Sequence, residues 1–154
     1  MISEWSNGMS RRQAIQASFV AAAILMAPRL AQASPAKVQE ELKKLFGDKK
    51  LTEGKIRIDA PQIAENGLVV PITVDVESPM TDANYVKSLH LFADGNPQPG
   101  VASFKFMSAS GKATATTRMR LAQTQNIVCV AEMSDGTLHT ASAEVKVTIG
   151  GCGG

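Results

Sequence analysis

The stretch Ser142-Ala143-Glu144-Val145-Lys146-Val147-Thr148-Ile149 alternates polar residues with small or apolar ones. A period of two is typical of a β-strand with one buried face, because successive side chains of a strand point to opposite sides. The same kind of pattern recurs upstream in six runs, at residues 56–60, 70–76, 86–92, 102–107, 112–121 and 127–131. Seven short strands predict an all-β fold, an immunoglobulin-like antiparallel β-sandwich.

Glycine-containing dipeptides separate these runs and are typical of turns. They are Asn66-Gly67, Asp94-Gly95, Ser110-Gly111 and Asp135-Gly136. A two-residue turn at Asp135-Gly136 would place Cys129 opposite Ser142. Proline lacks a backbone donor, so Pro71 predicts that its strand lies at a sheet edge or a bulge.

The run at residues 86–92 is apolar on both faces. Leu89 and Leu91 are predicted to point one way, and Val86 and Phe92 the other, with His90 between them. Two explanations fit this pattern. Either the N-terminal helix covers the second face, which we favour, or the face is a subunit interface.

A short helix is predicted before the strands. Ser34 is a suitable N-cap and Pro35 suits the first helical position. Gly47 follows where a C-terminal cap is expected. One apolar stripe comprises Val38, Leu42, Leu45 and Phe46, so we expect the helix to dock on the sandwich.

The N-terminal region predicts a twin-arginine signal peptide over residues 1–33. Ser-Arg-Arg-Gln at residues 10–13 precedes an apolar stretch of 14 residues, and Ala31-Gln32-Ala33 has the small residues that a signal peptidase accepts. A membrane-spanning helix needs about 20 apolar residues. We therefore expect cleavage after Ala33, export to the periplasm and no membrane anchor afterwards. An ordinary Sec-type signal is the alternative, with the same destination.

Cleavage would remove three of the 16 basic residues and one of the 14 acidic residues, leaving a formally neutral chain. No basic block remains to indicate a nucleic-acid partner or an anionic membrane. His90 and His139 are the two histidines, and a structural role is expected for both. No cluster has metal-ligand spacing, so neither a metal nor a cofactor is expected. No nucleophile and base are paired as in an enzyme active site.

The C-terminal sequence Gly150-Gly151-Cys152-Gly153-Gly154 leaves one thiol without neighbouring side chains to shield it. Glycine leaves the backbone almost unrestricted, so residues 150–154 predict a flexible arm after the domain of residues 34–149. The three residues from Gly150 to Cys152 span about 10 Å at most.

Cys129, inside an apolar run, is expected in the core. On the predicted pairing, Ile149 lies roughly 24 Å along the strand from Cys129's partner, too far for a disulfide.

The export signal, the sandwich pattern and the C-terminal sequence from Val147 to Gly154 together resemble the SoxY family, the sulfur-carrier subunits of the Sox thiosulfate-oxidation system. The resemblance implies that Cys152 binds sulfur covalently and that the neighbouring glycines, Gly150, Gly151, Gly153 and Gly154, form a swinging arm. It also implies a heterodimer with SoxZ and transient contacts with SoxAX, SoxB and, where present, a sulfane dehydrogenase. The chain would carry thiosulfate-derived groups without being an enzyme itself.

Two other functions are compatible with part of the sequence. Ubiquitin-like sulfur carriers also end in Gly-Gly, and they activate the terminal carboxylate as a thiocarboxylate. The export signal and the strand pattern disfavour that function. A non-catalytic periplasmic interaction module could instead use Cys152 for an intermolecular disulfide.

Overall fold

The computed structural model describes residues 35–149, so the predicted signal peptide, Ser34 and the predicted arm lie outside the described residues. The described chain begins with helix α1, Pro35–Phe46. Nine strands follow: β1 Leu51–Glu53, β2 Ile56–Asp59, β3 Ile63–Asn66, β4 Val70–Val76, β5 Val86–Ala93, β6 Gly100–Lys105, β7 Ala113–Met119, β8 Gln125–Met133 and β9 Leu138–Ile149. A 3-10 turn, Ser108–Ser110, precedes β7.

The strands form two sheets, and the predicted immunoglobulin-like sandwich is confirmed. One sheet has the order β1-β9-β8-β5-β6, with β3 also paired to β9, and the other has the order β2-β4-β7. The seven predicted strands are present, with shifted ends. The two additional strands, β1 and β3, both run parallel to β9. They are three and four residues long and have no extended apolar alternation, which is why the pattern did not predict them.

The main core lies between the two sheets. In β4 the alternation is complete, and Val70, Ile72, Val74 and Val76 are each at most 3% exposed. They face Leu89, Leu91, Ile127 and Cys129, which are at most 1% exposed. Each fully buried side chain of this size contributes about 1.5–3 kcal/mol relative to an exposed one. The alternating pattern therefore provides most of the driving force for closing the sandwich.

A second, smaller core lies on the outer face of the larger sheet. Val38 and Leu42 of α1 pack there with Phe92 of β5 and Val130 of β8. The helix therefore covers the second face of β5, as the favoured explanation predicted. Gly47 ends α1 with φ +68° and donates its N–H to the Lys43 carbonyl at 2.9 Å.

Leu45 departs from the predicted apolar stripe, because its side chain is 51% exposed. It lines an open groove between α1 and β6. The floor of that groove includes the small residues Gly100, Ala102 and Ser103. These side chains are too short to meet a leucine across the gap, so the helix buries only the part of its stripe that faces β5 and β8.

The predicted two-residue turn between β8 and β9 is wrong. Ser134, Asp135 and Gly136 form a three-residue turn, closed by hydrogen bonds from Gly136 N–H to the Met133 carbonyl (3.0 Å) and from Met133 N–H to the Thr137 carbonyl (2.9 Å). Gly136 has φ +83°, which suits glycine at this position of a three-residue hairpin. The extra residue shifts the register by one, so Cys129 pairs with Ala141 and not with Ser142.

Two further expectations are corrected by strand geometry. Val86 does not share a face with Phe92, because an irregularity between Val86 and Ser88 turns Val86 into the main core. The strand containing Pro71 is the middle strand of its sheet, not an edge strand. Strand β2 reaches only as far as Thr73, however, so Pro71 itself has a strand neighbour on one side only. Proline is tolerated in such a position.

Amide side chains connect the loops at the end of the sandwich where β9 finishes. The Asp94 carboxylate accepts hydrogen bonds from the backbone N–H (2.8 Å) and the side chain (2.9 Å) of Asn126. Gln125 accepts the Gly95 N–H at 2.6 Å and donates to Asn96 at 3.0 Å. The β5–β6 loop is thereby fixed to the start of β8.

We expect Gly95→Ala to destabilise the domain by about 1–3 kcal/mol, because an added methyl group would lie 2.7 Å from the Gln125 Cβ atom. Gly100→Ala is the matched control, since a methyl group there meets no atom within 4 Å. It should change stability by less than about 0.5 kcal/mol. Urea unfolding of both variants measures the difference, and equal midpoints would contradict this account of the loop.

Candidate functional site

The candidate site follows strand β9, whose last residues hold the segment that leads to Cys152. Strand β8 pairs with β9 only as far as Val145. Residues 146–149 continue beyond β8 and pair in parallel with β3. We call residues 146–149 the arm root. Its pairing partner is thus a strand that the sequence pattern did not predict.

Hydrogen bonds to Gln62, Thr124, Glu65 and Gly67 fix the arm root. Lys146 N–H donates to the Gln62 carbonyl at 3.0 Å, and Val147 N–H donates to the Thr124 hydroxyl at 2.9 Å. The Thr148 hydroxyl donates to the Glu65 carbonyl at 2.8 Å, and the Ile149 carbonyl accepts the N–H of Gly67 at 2.8 Å. Hydrogen bonds therefore fix the backbone of β9 as far as Ile149, the last described residue.

Gly67 also connects the root to the loop before β8. While its N–H binds Ile149, its carbonyl accepts the Leu121 N–H at 2.8 Å. Leu121 is fully buried and follows β7, which belongs to the other sheet. The turn at Gly67 therefore bonds to segments from both layers of the sandwich.

The residues predicted to carry the function all lie outside the described residues: Gly150, Gly151, Cys152, Gly153 and Gly154. Chain length still limits the position of the thiol. Cys152 is three residue steps beyond Ile149, and a fully extended chain covers at most about 3.6 Å per step. The Cys152 Cα atom therefore lies within roughly 11 Å of the Ile149 Cα atom, whatever the backbone conformation.

Cys129 is a free, fully buried thiol on the inner face of β8. Burial raises its pKa to about 12, so the nucleophilic thiolate is disfavoured. With Ala141 as its cross-strand partner, Ile149 lies eight residues farther along β9, roughly 27 Å at 3.4 Å per residue. The corrected register lengthens the separation that argues against a Cys129–Cys152 disulfide.

Both histidines lie far from the arm root. His90 is half-buried, its ring nitrogens lie 2.8 Å from the Ser103 hydroxyl and 3.1 Å from the Ser88 hydroxyl, and burial lowers its pKa. His139 is buried. It lies ten positions before Ile149 in β9, which is roughly 34 Å along the strand. Its Nδ1 atom has no hydrogen-bond partner among the described residues. His90 lies beside Val130, which pairs with Thr140, nine positions before Ile149 and roughly 31 Å from it along β9. Neither imidazole is therefore within the reach of Cys152.

Within residues 35–149, no three His, Cys, Asp or Glu side chains are grouped so that they could hold a metal ion. The helix in that part of the chain is too short and too polar to cross a membrane.

The profile of the family described as "Sulfur oxidation protein SoxY" matches residues 42–152. The chain belongs to the SoxY family. The matched segment covers most of the domain and ends on Cys152. The sulfur carrier protein SoxY from Chlorobium limicola f. thiosulfatophilum is similar in sequence and structure, at 38% identity and a TM-score of 0.64. The alignment covers 75% of this chain and all of the Chlorobium chain.

Other solved structures share the fold of this SoxY family member at low identity. A superoxide reductase (neelaredoxin) from Ignicoccus hospitalis has a TM-score of 0.54 at 16% identity, over 79% of this chain and 98% of its own. A putative superoxide reductase from Thermotoga maritima has a TM-score of 0.53 at 21% identity, over 63% and 93%. These likenesses show the sandwich fold alone. No curated protein matches the chain in sequence.

The sequence predicted membership of the SoxY family, which the profile match confirms, but it did not predict the arm root. The assignment of Cys152 as the carrier cysteine stays a prediction. The turn at Asn66-Gly67 was visible, whereas the four residues of β3 before it include one buried side chain, Ala64. A strand that is mostly exposed leaves no alternating apolar signal. Its role in holding residues 146–149 becomes apparent only from the parallel pairing.

The two thiols of this SoxY family member should differ sharply in reactivity. We expect iodoacetamide to label Cys152 in the native protein and to label Cys129 only after unfolding, because the raised pKa and burial protect Cys129. Between pH 7 and pH 9 the labelling rate at Cys152 should rise with its thiolate fraction, while native Cys129 stays unlabelled. Peptide mass spectrometry locates the label. Cys152→Ser is the control, and rapid native labelling of Cys129 would contradict the expectation.

Proposed function

We propose that this protein is a periplasmic sulfur carrier that holds thiosulfate-derived groups on Cys152 and presents them to partner enzymes. The observation that carries the proposal is that the SoxY family match extends to Cys152, three residues beyond the hydrogen-bonded arm root. Gly150, Gly151, Gly153 and Gly154 would form the slim arm around the thiol. Residues 1–33 would direct export by the twin-arginine route.

The proposed first step joins thiosulfate to the cysteine. The thiol and thiosulfate form a sulfur–sulfur bond, giving Cys–S–S–SO3⁻ with the loss of one proton and two electrons. SoxAX, a haem enzyme, would accept these electrons. No cofactor on the carrier itself is needed in this scheme.

The proposed second step is hydrolysis by SoxB. Water attacks the sulfonate sulfur, the S–SO3 bond breaks, and sulfate leaves with a persulfide remaining on Cys152. A sulfane dehydrogenase, where present, would oxidise the remaining sulfur before another hydrolysis restores the thiol. Cys152 is the covalent attachment point throughout.

The distance of both histidines from the end of β9 supports a carrier role for Cys152. A free cysteine has a pKa of about 8.5 and is mostly protonated at neutral pH. Both histidines lie beyond the reach of Cys152, so neither can act as its base. Activation of the thiol would therefore come from the partner enzymes. The thiol would stay unreactive while it is not bound in one of their active sites.

A heterodimer with SoxZ completes the proposal. A twin-arginine signal exports folded cargo, which fits a subunit that pairs before it crosses the membrane. Helix α1 already covers the outer face of β5 and β8. SoxZ would therefore bind outside the part of this face that α1 covers.

Cys152→Ser should abolish the thiosulfate-derived mass adduct, because the attachment atom is removed, whereas Cys129→Ala should retain it. Intact mass spectrometry of protein purified from thiosulfate-grown cells, followed by peptide mapping, measures both. An adduct on the Cys152→Ser protein would overturn the proposal. Sulfur on the C-terminal carboxylate would favour the ubiquitin-like alternative, and disulfide-linked dimers without an adduct would favour the interaction module.

Bulky side chains on the arm should impair turnover without affecting the fold. We expect Gly151→Trp and Gly153→Trp to lower kcat/KM of SoxB at least about tenfold, because a widened arm fits poorly into a narrow active site; tenfold corresponds to about 1.4 kcal/mol. Thermal unfolding should be unchanged, since both positions follow the last strand. Gly151→Ala is the size control. If SoxB acted on both tryptophan variants with the wild-type kcat/KM, a narrow arm would not be required.

A further inference from the structure

Three residues close to the end of β9 have exposed apolar side chains. Leu68 is 44% exposed, Val69 is 60% exposed and Ile149 is 68% exposed. Gly67 binds the Ile149 carbonyl through its N–H, and Leu68 and Val69 follow Gly67 directly. We call Leu68, Val69 and Ile149 the root patch. Grouped apolar side chains on a surface usually mark an interaction site.

The root patch is not an extension of the core. Val70, next to Val69, is 1% exposed and lies in the main core, whereas the three patch residues lie at the end of the sandwich. Leu45, Ile63 and Met107 are similarly exposed. Ile63 pairs with Lys146 at the start of the arm root, roughly 10 Å along the strand from Ile149, and the other two lie away from the root. Leu45 is on α1, Ile63 is the first residue of β3, and Met107 follows β6 at the opposite end of the sandwich.

The length of the arm determines what must approach this patch. The Cys152 Cα atom can extend at most roughly 11 Å from Ile149. The cysteine side chain and its adduct extend this limit further. The catalytic atoms of an enzyme that reacts with the sulfur must therefore come within this combined distance of Ile149. If those atoms lie below the enzyme surface, the mouth of the active site lies closer still to Ile149. The rim of that mouth must then meet the residues around the arm root.

The arm root cannot easily extend this reach. Residues 146–149 pair with β3, and the Ile149 carbonyl and the Thr148 hydroxyl are both hydrogen-bonded. Gaining another residue of length would require breaking the bond between Gly67 and Ile149. The distance limit therefore holds for the folded domain.

We propose that the root patch is the docking surface for the active-site rim of the enzymes that act on Cys152. The partner surface is a ring of apolar residues on the enzyme, around the active-site entrance into which the arm inserts. This inference rests on the function proposed above. Leu68 and Val69 would make the same contact with each successive enzyme, because the same short arm must enter each active site.

The test measures sulfate release by SoxB from the chemically loaded carrier, purified as the mature chain with SoxZ. Tetrathionate loads the carrier: the Cys152 thiolate attacks an inner sulfur, forming Cys–S–S–SO3⁻ and releasing thiosulfate. The variants are Leu68→Ser combined with Val69→Ser, and Met107→Ser as the matched exposed apolar control. Thermal unfolding confirms that each variant is folded.

We expect the double variant to raise KM at least fivefold with a smaller change in kcat, because a docking contact stabilises the bound and transition states alike. Met107→Ser should remain within twofold of the wild type. If the double variant is unstable, Val69→Thr alone, which keeps the side-chain shape, should still raise KM.

Unchanged KM in the folded double variant would overturn the docking proposal. Loss of co-purification with SoxZ would overturn it too, by assigning the patch to the partner subunit. Failure of the proposed function is recognised separately. In that case the Cys152→Ser protein would still be loaded by tetrathionate and would still release sulfate, whatever the state of the root patch.

Discussion

The hydrogen bonding of β9 on both of its edges is the constraint on which the rest of the structure depends. One edge pairs with β8 over most of its length, and the other pairs first with β1 and then with β3. Leu138 and Val145 of the same strand are buried. A strand bonded on both sides and packed on one face has little freedom to move. The segment that leads to Cys152 therefore starts from one of the best-anchored parts of the domain.

The two cysteines show how strongly environment determines the chemistry of one residue type. Cys129 pairs with Leu91 and Ala141 in the middle of the larger sheet, where removal of water penalises the thiolate. Cys152 has only glycines beside it in sequence. A carrier with two reactive thiols could close a disulfide and lose its function. Burial of one cysteine, and its distance from the other, would prevent that.

Sequence reasoning predicted the elements with a strong periodic signal. The strand at Val70–Val76, the helix and the burial of Cys129 follow from side-chain patterns that the structure confirms. The errors arose where a single backbone residue alters the geometry. One additional residue in the turn before β9 changes the register, and an irregularity after Val86 reverses its face. Strands β1 and β3 were missed because pairing, not burial, defines them. The terminal motif predicts Cys152 as the carrier cysteine, whereas the pairing of residues 146–149 with β3 required coordinates.

The parallel arrangement of β3 and β9 also has a mechanical consequence. A force applied to the chain beyond Ile149 in the direction of β9 acts along the paired strands. The hydrogen bonds of the arm root lie across that direction and are loaded together in shear, instead of opening one after another from an end. Gly67, bonded to Ile149 and to Leu121, passes part of the load to the loop that follows the other sheet. A load along β9 is thus shared among several hydrogen bonds before the end of the domain can unfold.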